Sequence, residues 1–263
     1  MAPIGSEVKE PGEVRRQLIL ELLRTEGYLR SVEVSRRFDV SEETARRDLA
    51  ALDDLGRLRR VRGGAVALET EIHSEPPRPH REGTRATAKK EIASVVRSLL
   101  SDGDTVFFDV GTTVEAAAHA LAADFHGRVI TTSLTVGMIL AGSSSIEVEM
   151  IGGRVRPHEY TVDGADALEA LGAFTADVSI IGCGGVSVEE GVTDFNPGDI
   201  PLKRTMIRQS RRPYVLADAT KLGKVAVRHV CQLAAVEAVI TDSAADPDLL
   251  HEMRTAGTEV LHP

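Results

Sequence analysis

From Lys89 onward, helix-like and strand-like runs alternate, and no other feature restricts the fold so tightly. KKEIASVVRSLL has helical spacing, DGDTVFFDVGTT reads as turn, strand and loop, and VEAAAHALAA is helical again. RVITTS, LTVGMILAG, IEVEMIGG, DALEALGAF, DVSIIGCGG, LKRTMIRQS, RPYVLAD, VEAVITD and PDLLHEMRTAG continue the alternation. Short β-branched runs between helices predict a mostly parallel, doubly wound sheet covered on both faces.

The first 68 residues have another texture. Val14, Leu18, Ile19, Leu22 and Leu23 recur at helical spacing and stop at Gly27. A short second helix with Val32, Val34 and Phe38 is expected, capped by Ser31. After a turn at Asp39-Val40, Ser41 suits the N-cap of a third helix, with Glu42 and Glu43 in its first turn. That helix carries Ala45, Leu49, Leu52 and Leu55 on one face and ends at Gly56. Three helices, the second pair joined by a tight turn, predict a helix-turn-helix. RLRRVRGGAVAL, turning at Gly63-Gly64, predicts a β-hairpin wing. The expected fold class is α/β, with an N-terminal winged helix-turn-helix domain over 1–68 and a C-terminal mostly parallel α/β domain over 87–263. The polar run between them, with Pro76, Pro77 and Pro79, reads as a linker over 69–86 because it cannot continue a helix.

Charge separates the two parts further. The chain has a net charge of -9, yet Arg46, Arg47, Arg57, Arg59, Arg60 and Arg62 crowd one short stretch. Residues 1–68 hold 13 Lys/Arg against 12 Asp/Glu, and the remainder holds 18 against 28, so only the first part suits an anionic polymer. Aromatics make up 3% of the chain, which argues against a stacking platform for single strands. No run is long and apolar enough to span a membrane, and MAPIGSEVKEPGE lacks a signal-peptide core, so a cytoplasmic protein, nucleoid-associated when on DNA, is expected. Two cysteines fit a reducing compartment and make no disulfide framework. The histidines show no metal-binding spacing, and neither metal nor cofactor is expected.

In a helix-turn-helix the start of the second helix of the motif meets base edges. Ser41, Thr44, Arg46 and Arg47 are placed there, and Arg can fork onto guanine or grip phosphate. The wing residues Arg59, Arg60, Arg62, Gly63 and Gly64 are expected along the flanking backbone of double-stranded DNA. The competing reading pairs Arg46 and Arg47 with Glu43 or Asp48 on a solvated face, where such pairs contribute little.

In the second part, glycine and hydroxyl residues gather after the strands, where open α/β sheets hold ligands. Asp109, Gly111, Thr112 and Thr113 close one strand and open a helix, a setting that favours an anion. Thr131, Thr132 and Ser133 repeat the arrangement, and Gly152, Gly153 and Gly184 end two more strands. Lys203, Lys221 and Lys224 are candidate cations, and Asp109 or Asp218 candidate acceptors for sugar hydroxyls. A phosphorylated sugar or polyol is the expected effector. Each loop alone is a common connector, and Cys183 reads as a small buried residue with no histidine partner.

The ordered set VSEETARRDLAALDDLGRLRRVRGGA, DGDTVFFDVGTT, VITTSL, EMIGG, IIGCGG, LKRTMI and LADATKLG resembles the DeoR family of bacterial transcriptional regulators, from about Arg15 to Asp242. The resemblance implies a winged helix-turn-helix joined to a sensor of the ribose-phosphate-isomerase-like fold, acting as a repressor of sugar or carbohydrate metabolism genes. It also implies release by a phosphorylated sugar and assembly into a homodimer or homotetramer. By the same resemblance, Asp109, Gly111, Thr112 and Thr113 match the family's phosphosugar loop and Thr131, Thr132 and Ser133 its next loop. Lys203 matches a helix-opening lysine, and Asp218 and Lys221 match an Ala-Asp-x-Ser-Lys segment. Departures are Thr132 for Asn, Thr220 for Ser, Ala45 for Ile and Arg62 for His. Two other readings stand beside this one. In the first, a sugar-phosphate isomerase-like enzyme carries an appended DNA-binding domain, with Asp109, Asp163 or Asp166 of the DGADAL segment as its base. In the second, the C-terminal part only oligomerises. No residue is assigned a catalytic role.

Overall fold

The computed structural model describes residues 11–26, 28–55, 57–61, 63–67 and 75–263, which form two compact units dividing between Pro76 and Pro77. The first unit contains α1 (Pro11–Glu26), β1 (Tyr28–Arg30), α2 (Ser31–Arg37), α3 (Glu42–Asp54), β2 (Leu58–Val61) and β3 (Gly64–Ala67). Its core is the expected periodic set: Ile19 and Leu23 of α1, Val34 of α2, and Ala45, Leu49 and Leu52 of α3, closed by Leu29, Leu58 and Ala65. Ala45, Leu49 and Leu52 recur every three or four residues and so share one helix face. Val14, Leu18 and Leu55, by contrast, stay exposed.

The wing has one strand more than expected. β1 pairs antiparallel with β3, so the order is β1-β3-β2. Gly64 permits this: a Cβ there would stand 2.1 Å from the Leu29 carbonyl oxygen. Ser31 is not the cap of α2 but lies in its first turn, its N–H donating to the Gly63 carbonyl at 3.0 Å. The Glu33 carboxylate instead accepts the Arg30 N–H at 3.1 Å. Ser41 caps α3 as expected, accepting the Thr44 N–H at 3.1 Å.

The second unit runs α4 (Arg78–Gly83), α5 (Ala86–Leu99), β4 (Thr105–Phe108), α6 (Thr112–Leu121), β5 (Gly127–Thr131), α7 (Leu134–Leu140) and β6 (Ile146–Met150). A hairpin of β7 (Arg154–Arg156) and β8 (Thr161–Asp163) follows, then α8 (Ala165–Gly172), β9 (Ala176–Gly182), β10 (Gly185–Ser187) and β11 (Gly191–Asp194). The chain finishes with α9 (Asp199–Arg208), β12 (Ser210–Leu216), β13 (Arg228–Cys231), β14 (Ala238–Ile240), α10 (Pro247–Thr255) and β15 (Glu259–Leu261). Seven strands make one parallel sheet in the order β15-β14-β12-β9-β4-β5-β6. Alternate residues serve opposite faces, with Phe107, Ile181 and Val215 in one core and Val106, Phe108, Ile180 and Leu216 in the other. Two small antiparallel sheets, β7-β8 and β10-β11-β13, sit beside the main one.

The expected linker over 69–86 is only partly one. Residues 68–74 lie outside the described residues, whereas α4 belongs to the second unit. Pro77 precedes this helix and Pro79 sits in its first turn, where a missing N–H removes no helical bond. The prolines therefore start a helix rather than break one.

Candidate functional site

Asp48 determines how α3 presents itself. Its buried carboxylate receives Arg15 Nε at 2.6 Å and stands 3.7 Å from Arg16, which ties α3 to α1. The competing role for Asp48, neutralising Arg46 or Arg47, is thereby filled by other residues. Arg46 lies 3.1 Å from Glu42 and Arg47 3.4 Å from Glu43, with the arginine side chains 57% and 79% exposed. Exposed i,i+4 pairs of this kind stabilise by about 0.3–0.5 kcal/mol, so a phosphate or guanine edge displaces the glutamates at little cost. Ser41 and Thr44 share a hydroxyl hydrogen bond of 2.8 Å at the same helix start. Arg60 is exposed, and its N–H donates to Asp53 of α3 at 3.2 Å, which docks the wing on the helix. Gly63 is an exposed turn residue at φ 89°, while Gly64 is buried under β1, so its role is close packing rather than contact. Arg62 and the side chain of Arg59 lie outside the described residues.

In the second unit the strand order reverses direction between β4 and β9, the switch point at which open α/β sheets bind ligands. Gly182 fits there because a Cβ would come within 2.7 Å of the Val110 carbonyl. Its N–H donates to Asp109 Oδ2 at 2.9 Å. Lys203 of α9, 1% exposed, bonds that same carboxylate, the Gly182 carbonyl at 2.9 Å and Asp194 Oδ2 at 3.0 Å. Burial works against the Lys203 charge, but Asp109, Asp194 and Asp199 outweigh it and hold the ammonium protonated. Burial pushes Asp109 up to about 6, with Lys203 opposing. Asp109 and Lys203 were expected to touch the effector; the structure instead uses them on each other, as a buried clasp between β4, β9 and α9.

Two further lysines gather by neighbouring loops, Lys89 buried and Lys221 half-buried. Gly111, at φ 118° with nothing within 4 Å of where a Cβ would sit, opens α6 and leaves free approach to its first turn. Thr112 is half-buried and donates to the Arg81 carbonyl at 3.4 Å, whereas Thr113 is buried. Lys89 Nζ bonds the same Arg81 carbonyl. Burial lowers the Lys89 pKa; Asp218 opposes that, and Lys221 and Arg81 add to it. Lys221 Nζ donates to the Cys183 carbonyl at 2.5 Å, and Arg85 Nε lies 4.0 Å from Asp218. Asp218 also receives the Thr220 N–H at 3.0 Å, which shapes the loop. The α6 N-terminus, Lys89 and Lys221, with Asp218 beside them, together form a cationic edge suited to a phosphate, while the Arg81 guanidinium is paired with Glu159.

The other expected residues divide. Thr131 is buried and accepts the Ser133 N–H at 3.0 Å, while Ser133 caps α7 by accepting Val136 N–H at 3.2 Å. Thr132 Oγ1 is buried without a partner. Gly152 and Gly153 follow the edge strand β6, two strands from the switch point, and turn the chain into β7. Gly184 packs against Phe195. Cys183 is buried, its thiol 3.4 Å from the Leu216 carbonyl and pushed by burial up to about 12. Asp163 of the DGADAL segment is buried and paired with Arg154 at 2.8 Å, whereas Asp166 is exposed. Lys89, Arg81 and Arg85 were missed. Lys89 had a signal, since it shares the apolar stripe of α5 with Ile92, Ala93 and Val96.

A helix-turn-helix with exposed arginines on its second helix, followed by an α/β unit with lysines near its switch point, is the layout of a ligand-responsive DNA-binding regulator. Family comparisons agree. The DeoR-like helix-turn-helix domain matches residues 15–71 and the DeoR C terminal sensor domain residues 84–243. The chain belongs to the DeoR family. It is 31% identical over 229 residues to the glycerol-3-phosphate regulon repressor of Escherichia coli (strain K12), covering 87% of this chain and 90% of that one. It is 31% identical to the HTH-type transcriptional repressor CsqR of the same organism, over 96% of both chains. With the HTH-type transcriptional repressor GlcR of Bacillus subtilis (strain 168) it shares 32% identity over 95% of both. Among solved structures, ribose 5-phosphate isomerase A of Methanocaldococcus jannaschii overlaps at a TM-score of 0.38 and 16% identity, over 51% of this chain and 52% of that one. The sheet order and the family matches, not that overlap, define the fold. Among the described residues no helix is long and apolar enough to cross a membrane.

Proposed function

We propose that this chain is a transcriptional repressor of carbohydrate-use genes that leaves its operator when a phosphorylated sugar or polyol occupies the cationic edge of the second unit. The observation that carries the sensing half is the gathering of Lys89 and Lys221 near the open N-terminus of α6, where Lys89 and Thr112 share the Arg81 carbonyl. The name of the glycerol-3-phosphate regulon repressor points to the same ligand class. DNA contact falls to Thr44, Arg46 and Arg47, with Arg60 on the flanking phosphates. A homodimer or homotetramer in the cytoplasm, reading a repeated operator, suits a motif that contacts only one half-site. In this reading the chain acts by binding rather than turnover: of the three carboxylates weighed as bases, Asp109 is held by Lys203, Asp163 by Arg154, and Asp166 lies exposed in the first turn of α8.

The test selects an operator from a random duplex pool and follows its binding by fluorescence anisotropy. The double substitution Arg46→Ala, Arg47→Ala abolishes specific binding and leaves circular dichroism unchanged. Unaltered binding refutes the contact assignment. Adding glycerol 3-phosphate or a hexose 6-phosphate releases the DNA from the parent, and Lys221→Ala resists release while still binding the operator. Release of that variant at the parent's ligand concentration refutes the assignment of the cationic edge.

A further inference from the structure

Three arginines lie in the segment that opens the second unit, and they are spent differently. Arg78 forks onto Glu115 at 2.8 and 2.9 Å, and Arg81 pairs with Glu159. Arg85, between α4 and α5, is held by no pair of that kind. It meets Asp218, but its Nε stands 4.0 Å from Oδ1, beyond hydrogen-bond reach. Among the described residues its guanidinium makes no hydrogen bond, and its side chain is 49% exposed.

The backbone of Arg85 is unusual as well. It occupies the N-cap of α5 in the left-handed region, at φ 57° and ψ 37°, and its side chain caps nothing. An N-cap is ordinarily extended, and a residue other than glycine at positive φ is uncommon. Strain of this kind gathers at ligand clamps, where the side chain gives a reason to keep it. Glycine would relieve the strain, whereas arginine supplies a forked cation.

The neighbouring groups show what that cation can meet. Asp218 faces Arg85 and also supports the charge of Lys89, which Lys221 opposes. Its Oδ1 already accepts the Thr220 N–H at 3.0 Å and the Thr220 hydroxyl, so it offers Arg85 charge without a bond. Lys89 donates its N–H to the Arg85 carbonyl at 3.0 Å, and its Nζ shares the Arg81 carbonyl with Thr112 of α6. Arg85, Lys89 and Lys221 around the one carboxylate leave two positive charges, which match a phosphate monoester of about −2 at neutral pH.

We infer that Arg85 is the closing clamp of the effector site: its guanidinium leaves Asp218 and forks onto two oxygens of the bound phosphate. The inference rests on the reading of Lys89, Lys221 and the start of α6 as the phosphate edge. A half-exposed ion pair at 4.0 Å is weak and is surrendered easily, whereas a forked guanidinium–phosphate contact is strong and directional.

Titration calorimetry on the full chain tests this, with inorganic phosphate and glycerol 3-phosphate as probes. Arg85→Gly accepts the left-handed backbone, so the variant folds and melts no lower than the parent. Its affinity for both probes is expected to fall about tenfold or more. Arg85→Lys keeps the charge without the fork and is expected to recover only part of that loss. Parental affinity in Arg85→Gly overturns the clamp and leaves the phosphate edge standing. Parental affinity in Arg85→Lys overturns the fork, since charge alone then suffices. A loss in Arg85→Gly that Arg85→Lys does not ease marks a structural role and overturns the clamp as well. A parent that binds neither probe overturns the sugar-phosphate reading and this inference with it.

Discussion

Replacing Lys203 by methionine separates a structural lysine from a ligand-binding one. The ammonium is 1% exposed and sits among Asp109, Asp194 and Asp199. Its 3.0 Å contact with Asp194 alone represents a gross attraction of about 5–6 kcal/mol at an effective dielectric near 20. Removing one partner of a buried pair costs about 3–5 kcal/mol, since the carboxylates lose their neutralising charge. The sign of the pH dependence follows from Asp109, whose folded pKa of about 6 lies above its ordinary 3.8. A carboxyl raised on folding favours the native state when protonated, so that stability is full below about 4 and lost as pH rises through about 6. Without Lys203 the upper limit of this window moves further up. The expected result is a large loss at pH 8 that shrinks markedly by pH 5, read from urea unfolding followed by circular dichroism. A variant that unfolds at the parent's urea midpoint at pH 8 would falsify the clasp and return Lys203 to the list of ligand contacts.

Other consequences are simpler to check. Asp48→Ala leaves Arg15 without its 2.6 Å partner and loosens α3 from α1; about 1–3 kcal/mol of stability and most operator affinity should be lost, by thermal melting and anisotropy. Gly64→Val drives a side chain into the Leu29 carbonyl and should cost more than about 2 kcal/mol, with the wing unpaired in amide exchange. Glu115→Gln weakens the two bonds of 2.8 and 2.9 Å that hold Arg78 of α4, and protease cleavage near α4 should quicken several-fold over the parent. The logarithm of operator affinity should fall linearly with the logarithm of salt concentration, because phosphate contacts release counterions; a flat response would mean that the arginines of α3 and the wing do not meet the backbone.

How much of this was legible can be judged residue by residue. Ser41 as a cap, Ala45, Leu49 and Leu52 as a buried face, and the alternating strands and helices all follow from local spacing. β1 was not legible, since three residues between two helices carry too little periodicity and the strand exists only by pairing with β3. Pro77 and Pro79 misled because proline ends a helix from within but is accommodated at its start. Lys89 was readable in principle as a cation in an apolar stripe.

The sequence by itself determined the two-part organisation, the helix-turn-helix with its arginine-bearing helix, the parallel sheet and the loops that follow its strands. These depend on hydrophobic period, capping chemistry and charge distribution, all of which act over a few neighbouring residues. Only the tertiary structure decided which loops meet at the switch point and which polar residues are consumed by one another. Strand order brings β4 beside β9 and leaves Gly152 and Gly153 two strands away. It also places Asp109 against Lys203, 94 positions apart in the chain, so that two residues with the composition of a ligand site spend their charges on each other. Electrostatic pairing depends on distance in space, and spacing along the chain carries no record of it.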